Sequence, residues 1–165
     1  MDLLIRNYQP TDAKAMLEIY NWAVLHTTAT YDYEQIDLAN FEAQIGAKTG
    51  LNYPVLVAEI AGKVVAYASL GQFRVKEGYR FTSENSVYVS PQHQGKNIGR
   101  QLLQTLIKLA KESLTIKNII AVIDAESEVS VHLHQQLGFE QVGHFPRIGY
   151  KFGRWLDVKF FQLRW

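Results

Sequence analysis

The sequence predicts a single α/β domain spanning residues 1–165. Three observations lead there. Segments whose apolar residues recur at helical spacing alternate along the chain with β-rich runs, the pattern of helices packed on a sheet. Residues 54–60 and 63–70 are separated only by Ala61-Gly62, a short hairpin signal that makes this part of the sheet antiparallel. At 165 residues the chain can bury a real hydrophobic core, and a second domain is not expected.

Residues 3–7 alternate in polarity and read as strand β1. Pro10-Thr11-Asp12 opens helix α1, in which Ala13, Met16, Leu17, Tyr20 and Val24 fall at helical spacing. Residues 26–36 are rich in Thr and Tyr and hold no helical period, so they form a candidate substrate-contacting loop. Asp37 reads as the cap of α2, which carries Leu38, Phe41 and Ile45. The hairpin supplies β2 and β3, and residues 84–89 supply β4. Pro91 blocks continuation of that strand, and α3 follows with Ile98, Leu102, Leu103, Leu106, Ile107 and Ala110 on its buried face. Residues 118–123 are continuous and β-branched, as a strand β5 covered on both faces would be. Helix α4 runs from about Ser127 to a C-cap glycine, Gly138. Residues 139–145 and 155–163 read as the closing strands β6 and β7, with Gly149 and Gly153 punctuating the link between them.

Composition narrows the function. A hydrophobic share of 47%, a charged share of 20% and a net charge of +1 are ordinary globular values. They offer no broad attraction to nucleic acid or to a membrane surface. With no cysteine, disulfides, thiolate metal ligands and a covalent cysteine intermediate are excluded. Asp2, Arg6, Asp12, Lys14 and Glu18 interrupt the N-terminal segment, which therefore reads neither as a signal peptide nor as a membrane span, and a cytoplasmic enzyme is expected.

The run Gln94-Gly95-Lys96-Asn97-Ile98-Gly99-Arg100 lies between β4 and α3. The first turn of a helix leaves N–H groups without intrahelical partners, and its end carries partial positive charge, so a pyrophosphate is stabilised there. Gly95 and Gly99 let an anion approach the backbone without meeting a Cβ, and Lys96 and Arg100 add full charges. A tight loop with a solvated basic face would look the same on spacing alone.

With these residues in place, the turn resembles that of the GNAT superfamily of acyl-CoA-dependent N-acetyltransferases, written Gln/Arg-x-x-Gly-x-Gly/Ala. Gln94, Ile98 and Gly99 fit it; Asn97 stands at the first glycine, and asparagine tolerates the left-handed region better than most residues. The surrounding segments are closer. Residues 84–91 (ENSVYVSP), 130–139 (SVHLHQQLGF) and 149–157 (GYKFGRWLD) resemble the phosphinothricin and methionine sulfoximine acetyltransferase branch, in the right order. The resemblance implies a mixed, twisted sheet of about seven strands with helices on both faces, splayed after β4 to admit the pantetheine arm of acetyl-CoA. It also implies a homodimer.

Acetyl transfer to an amine needs a proton acceptor and donors for charge that develops on the carbonyl oxygen. By similarity Glu84 is the general base, and the backbone N–H of Val89 is the oxyanion donor, with Val87 and Tyr88 giving the edge that pairs with pantetheine. Without the resemblance Glu84 would read as an exposed strand-end carboxylate. His134 stands where relatives place the group that protonates the leaving thiolate; Ser130 shares its helix face and could meet the cofactor with it. A helix-surface histidine with a structural hydrogen bond is the competing reading. Ser127 occupies a cofactor-contacting position that is asparagine in relatives. Phe73-Arg74-Val75-Lys76-Glu77-Gly78-Tyr79-Arg80 resembles the substrate loop of the methionine sulfoximine type, with Arg74 and Glu77 at its recognition positions, although a solvated charged loop is the bland alternative. Arginine suits a carboxylate because its fork binds both oxygens. Tyr31, Tyr33 and Phe73 are candidate lining for an amino-acid-sized pocket.

Look-alikes fall away. Gly95-Lys96 is no P-loop, since Ser90 and Asn97 replace its first glycine and its magnesium-binding hydroxyl. Ser69-Leu70-Gly71 lacks the leading glycine of a nucleophile elbow, which is Tyr67 here. His132 and His134, two apart on a helix, point to different faces, so no metal is expected. The expected reaction is N-acetylation, by acetyl-CoA, of the α-amino group of a small amino acid or analogue. A protein N-terminal or polyamine acetyltransferase and a non-catalytic acyl-CoA sensor stay open as alternatives.

Overall fold

In the computed structural model, which describes residues 2–165, the chain runs β1 (Leu3–Asn7), α1 (Ala13–His26), α2 (Leu38–Gly50), β2 (Val55–Ile60), β3 (Lys63–Gln72), β4 (Thr82–Val89), α3 (Ile98–Glu112), β5 (Asn118–Asp124), α4 (Glu128–Gln136), β6 (Glu140–Lys151) and β7 (Arg154–Arg164). The seven strands form one sheet in the order β1-β2-β3-β4-β5-β7-β6. Every neighbouring pair is antiparallel except β4 and β5. The β2–β3 hairpin turns on Ala61 and Gly62 at φ 51° and 76°, and both residues at positive φ is the turn that matches the twist of the flanking strands.

Alternation along β3 sorts the core onto two faces. Ala66, Ala68 and Leu70 face α3, whose Ile98, Leu102, Leu103, Leu106, Ile107 and Ala110 are all buried, as their helical spacing requires. Each such leucine contributes about 1.5–3 kcal/mol through burial. Tyr67 faces the other way and packs with Met16 and Ile19 of α1 and Phe41 and Ile45 of α2. Asp37 caps α2 by accepting from the Asn40 amide at 2.8 Å.

Three expectations need correction. Strand β5 is covered on both faces except at Val122, which is 42% exposed while Ile120 and Asp124 on the same face are buried. Leu38 is exposed rather than part of the buried face of α2. Gly149 does not lie in a link between strands but inside β6, which continues to Lys151 across an irregularity between Phe145 and Gly149. The strand needs a glycine there because a Cβ would sit 2.5 Å from Cε2 of Tyr31. Only Gly153, at φ 73°, serves the turn into β7.

Candidate active site

The parallel pairing of β4 with β5 covers only Thr82–Glu84 against Asn118–Ile120. Beyond it β5 continues with β7 as its partner, while β4 runs on to Val89 paired only with β3. The sheet therefore forks at Glu84, and among the described residues no strand lies beside β4 from Asn85 to Val89 on that side. Val87, Tyr88 and Val89 lie along this open edge, and Gln94 reaches back from Nε2 to the Val89 carbonyl at 3.2 Å.

At the end of that edge stands the turn into α3. Gly95 has φ 75° and Asn97 has φ 64°, so asparagine here takes the left-handed conformation that a glycine would adopt freely. The amides of Gly95, Lys96, Asn97, Ile98, Gly99 and Arg100 have no acceptor among the described residues. Lys96 is exposed, whereas Arg100 turns toward α4 and donates to Gln136 Oε1 at 2.9 Å. A Cβ on Gly99 would lie 3.6 Å from Val89 and 3.7 Å from Val87, so Gly99 also sets how closely α3 rests on β4.

Glu84 lies at the fork, opposite Gly71 of β3. Burial pushes its carboxyl above the usual carboxylate range, while Lys48 and Arg74 act against that by favouring the ionised form. A carboxylate poised in this way accepts a proton more readily than a solvated one. Arg74 is exposed and rests 5.2 Å from the centre of the Phe73 ring, itself edge-on to Tyr79. Glu77 begins the exposed turn Glu77–Tyr79.

His134 is only 4% exposed, so it is not a helix-surface residue. Its Nδ1 donates to the Ser130 carbonyl at 2.7 Å and its Nε2 faces Asn85 Nδ2 at 3.0 Å, which makes the ring neutral with its proton on Nδ1. The Ser130 hydroxyl is more distant from Nδ1, at 3.5 Å. Helix α4 ends in a Schellman motif: Phe139 N–H bonds the His134 carbonyl, Gly138 N–H bonds the Gln135 carbonyl, and Gly138 has φ 91°. The Phe139 ring packs edge-on against His134 and completes its enclosure.

The loop of residues 27–37 is pinned across the site. The buried Lys151 donates to the carbonyls of Thr27 and Thr30 at 2.8 and 2.7 Å, and Tyr20 hydrogen-bonds Asp32. Tyr31 packs on Gly149 and Tyr33 donates to the Tyr150 carbonyl, so both tyrosines are held by β6. Ser127 lines a cavity of 350 Å³ with Thr28, Asp124, Phe152 and Arg154.

The residues present fit acetyl-CoA. The free amides of 95–100 suit a diphosphate, the open edge of β4 suits an amide-bearing arm, and the buried Oδ1 of Asn85 has no hydrogen-bond partner among the described residues. Among the described residues no group of three His, Asp or Glu is placed to hold a metal ion. Sequence reasoning missed Asn85 and Lys48. A signal for Lys48 existed, because it follows Phe41 by seven residues and Ile45 by three, on the buried stripe of α2.

Residues 5–159 match the acetyltransferase (GNAT) domain family. The chain belongs to the GNAT acetyltransferase family. It is an acetyltransferase, and enzymes of this family take the acetyl group from acetyl-CoA. Among its relatives is the L-amino acid N-acyltransferase MnaT of Escherichia coli, 46% identical over 97% of this chain and 92% of that protein. The L-methionine sulfoximine/L-methionine sulfone acetyltransferase of Salmonella typhimurium is 45% identical over 98% and 94%. A phosphinothricin acetyltransferase from Sinorhizobium meliloti, solved in complex with acetyl-CoA, superposes with a TM-score of 0.96 at 37% identity, covering 99% of this chain and 89% of that one.

Proposed function

We propose that this enzyme acetylates the α-amino group of a free amino acid or close analogue, of the methionine sulfoximine, methionine sulfone or phosphinothricin type. One observation carries the reading: Arg74 lies near enough to Glu84 to favour its ionised form, so a carboxylate-binding cation and a proton acceptor share one site. A free α-amino acid presents both a carboxylate for such a cation and an ammonium for such an acceptor. The names of the relatives point to the same substrate class.

Acetyl-CoA supplies the thioester. Gln94, Gly95, Lys96, Asn97, Ile98, Gly99 and Arg100 would hold its diphosphate, with Val87, Tyr88 and Val89 along its arm and Ser127 and Ser130 beside it. Glu84 removes the proton that the substrate ammonium must lose before it can attack, and the Val89 amide faces the developing negative charge. Arg74 fixes the carboxylate, while Phe73, Glu77 and Tyr31 shape the rest of the substrate surface. His134 protonates the departing thiolate from Nε2 once the ring has taken up a proton and the Asn85 amide has turned over.

The assay is release of free thiol from acetyl-CoA in the presence of a panel of amines. Turnover should appear with L-amino acids and these analogues and be absent with polyamines. Glu84→Gln should lower turnover and spare acetyl-CoA binding; turnover unchanged at every pH removes Glu84 as the base. We further infer a cytoplasmic homodimer. Among the described residues no helix is long and apolar enough to cross a membrane. The edge strand β6 and the turn after it expose Val142, Phe145, Ile148, Tyr150 and Phe152, an apolar margin that a second copy would cover. Light scattering that gives a monomer at micromolar concentration would refute the dimer.

A further inference from the structure

Lys48 is a cation on the side of α2 that its helix buries. It follows Ile45 by three residues, so its stem is directed at the sheet rather than at solvent. The stem crosses Gly71, where a Cβ would come within 3.3 Å of Cε. Its Nζ donates to Ser69 Oγ at 2.7 Å, and Ser69 is fully buried. Ser69 and Gly71 are successive residues on one face of β3, directly opposite Ser86 and Glu84 of β4. Among the described residues Lys48 joins no ion pair within 4.0 Å. An ammonium removed from water with a hydroxyl as its bonded partner is costly to keep, and a packing role needs only its apolar stem.

We propose that Lys48 is a positioning residue for Glu84: anchored on Ser69 and passing over Gly71, its charge keeps the neighbouring carboxylate ionised and held at the fork. The proposal rests on the reading of Glu84 as the base. Electrostatics agree with the geometry. Burial lowers the lysine and raises the carboxyl, and each group opposes that trend in the other. Arg74, from the connection between β3 and β4, adds a second positive charge, and Tyr88 follows on the same face of β4, with Tyr20 and Asp32 beyond it. Two cations thus act on Glu84, one exposed and free to meet substrate, the other fixed inside the fold.

The test is the pH dependence of kcat/KM with acetyl-CoA and methionine sulfone, for the wild type and for Lys48→Gln, Lys48→Met and Lys48→Arg. Without the positive charge Glu84 holds its proton to higher pH, so the acidic limb should move upward in both neutral variants. Lys48→Arg should return it toward the wild-type position. Lys48→Gln keeps a donor for Ser69 and similar length, so it answers the question even if Lys48→Met does not fold. A merely structural lysine would lower the melting temperature or the plateau and leave the limb in place, and that outcome overturns the proposal. Glu84→Gln separates the two ideas. If the limb survives in that variant the base assignment fails; if the limb vanishes there but stays fixed in the Lys48 variants, only the role of Lys48 fails.

Discussion

Asn85 donates a hydrogen bond to Nε2 of His134 across 3.0 Å, joining β4 to α4 in the buried wedge beside the fork. Since Nδ1 is engaged with the Ser130 carbonyl, the ring is neutral, and burial pushes its pKa below the ordinary 6.5. As the pH falls, the unfolded chain takes up the proton first, so the contribution of neutral His134 is complete above 6.5 and is lost as the pH falls through the folded value. Melting temperatures measured from about pH 8 to about pH 5 should fall more steeply in the wild type than in His134→Gln. Parallel curves would show that the histidine titrates as freely in the folded chain as in the unfolded one.

The same bond limits the chemistry. A neutral ring with its proton on Nδ1 has none on Nε2 to donate, so protonating a thiolate requires prior uptake of a proton and reorientation of the Asn85 amide. Asn85 can accommodate this, because its unpartnered Oδ1 becomes the acceptor for Nε2–H when the amide turns over.

Arg74→Ala should act chiefly on substrate affinity. A hydrogen bond to a charged group contributes about 1.5–3 kcal/mol, which corresponds to an increase of about ten- to a hundredfold in KM for an amino acid. The KM for acetyl-CoA should stay put. Because Arg74 also favours ionised Glu84, the acidic limb of kcat/KM should shift upward as well. Steady-state kinetics in both substrates check this, and an unchanged amino-acid KM removes the carboxylate clamp.

Lys151 is 2% exposed and holds the loop of residues 27–37 through two carbonyls. Lys151→Met keeps the apolar stem and deletes both charge-assisted bonds, each contributing about 1.5–3 kcal/mol before the relief of desolvation is set against it. The loop should loosen more than the core does. Limited proteolysis should then cut within residues 27–37, and the KM for the amine should rise, with a smaller change in melting temperature. Resistance to cleavage equal to the wild type would mean that Tyr20 and Tyr33 suffice to hold the loop.

What the sequence made legible and what it hid follow from the range of the interactions involved. The six buried positions of α3 repeat at the period of one helix, so neighbours along the chain disclose them. The hairpin at Ala61-Gly62 and the Schellman end of α4 are equally local. Gly149 looks like a break between strands in the sequence because the reason for its glycine is Tyr31, 118 residues earlier, whose ring occupies the space of a Cβ. Asn85 and Lys48 draw their meaning from His134 and Glu84 on other elements, and no spacing within one element announces such a pairing. Resemblance alone points to Glu84; its environment, a partly buried carboxylate under the charge of two cations, needs the fold.

Asn97 offers the sharpest test of whether the turn before α3 works through its backbone. Its φ of 64° is the left-handed conformation, which disfavours an ordinary L-residue by about 1–2 kcal/mol and a β-branched one more strongly. Its side chain makes no capping hydrogen bond. If the role of this residue is to let the chain turn so that the amides of 95–100 face one ligand, Asn97→Gly should bind coenzyme A as well as the wild type. Asn97→Val should then lose about 1–2 kcal/mol, a weakening of about five- to thirtyfold in Kd, because the turn must strain or open before the amides converge. Calorimetric titration of coenzyme A into both variants, with melting temperatures alongside, distinguishes this from a direct contact. Were the Asn97 amide group itself a ligand, glycine would weaken binding as much as valine does.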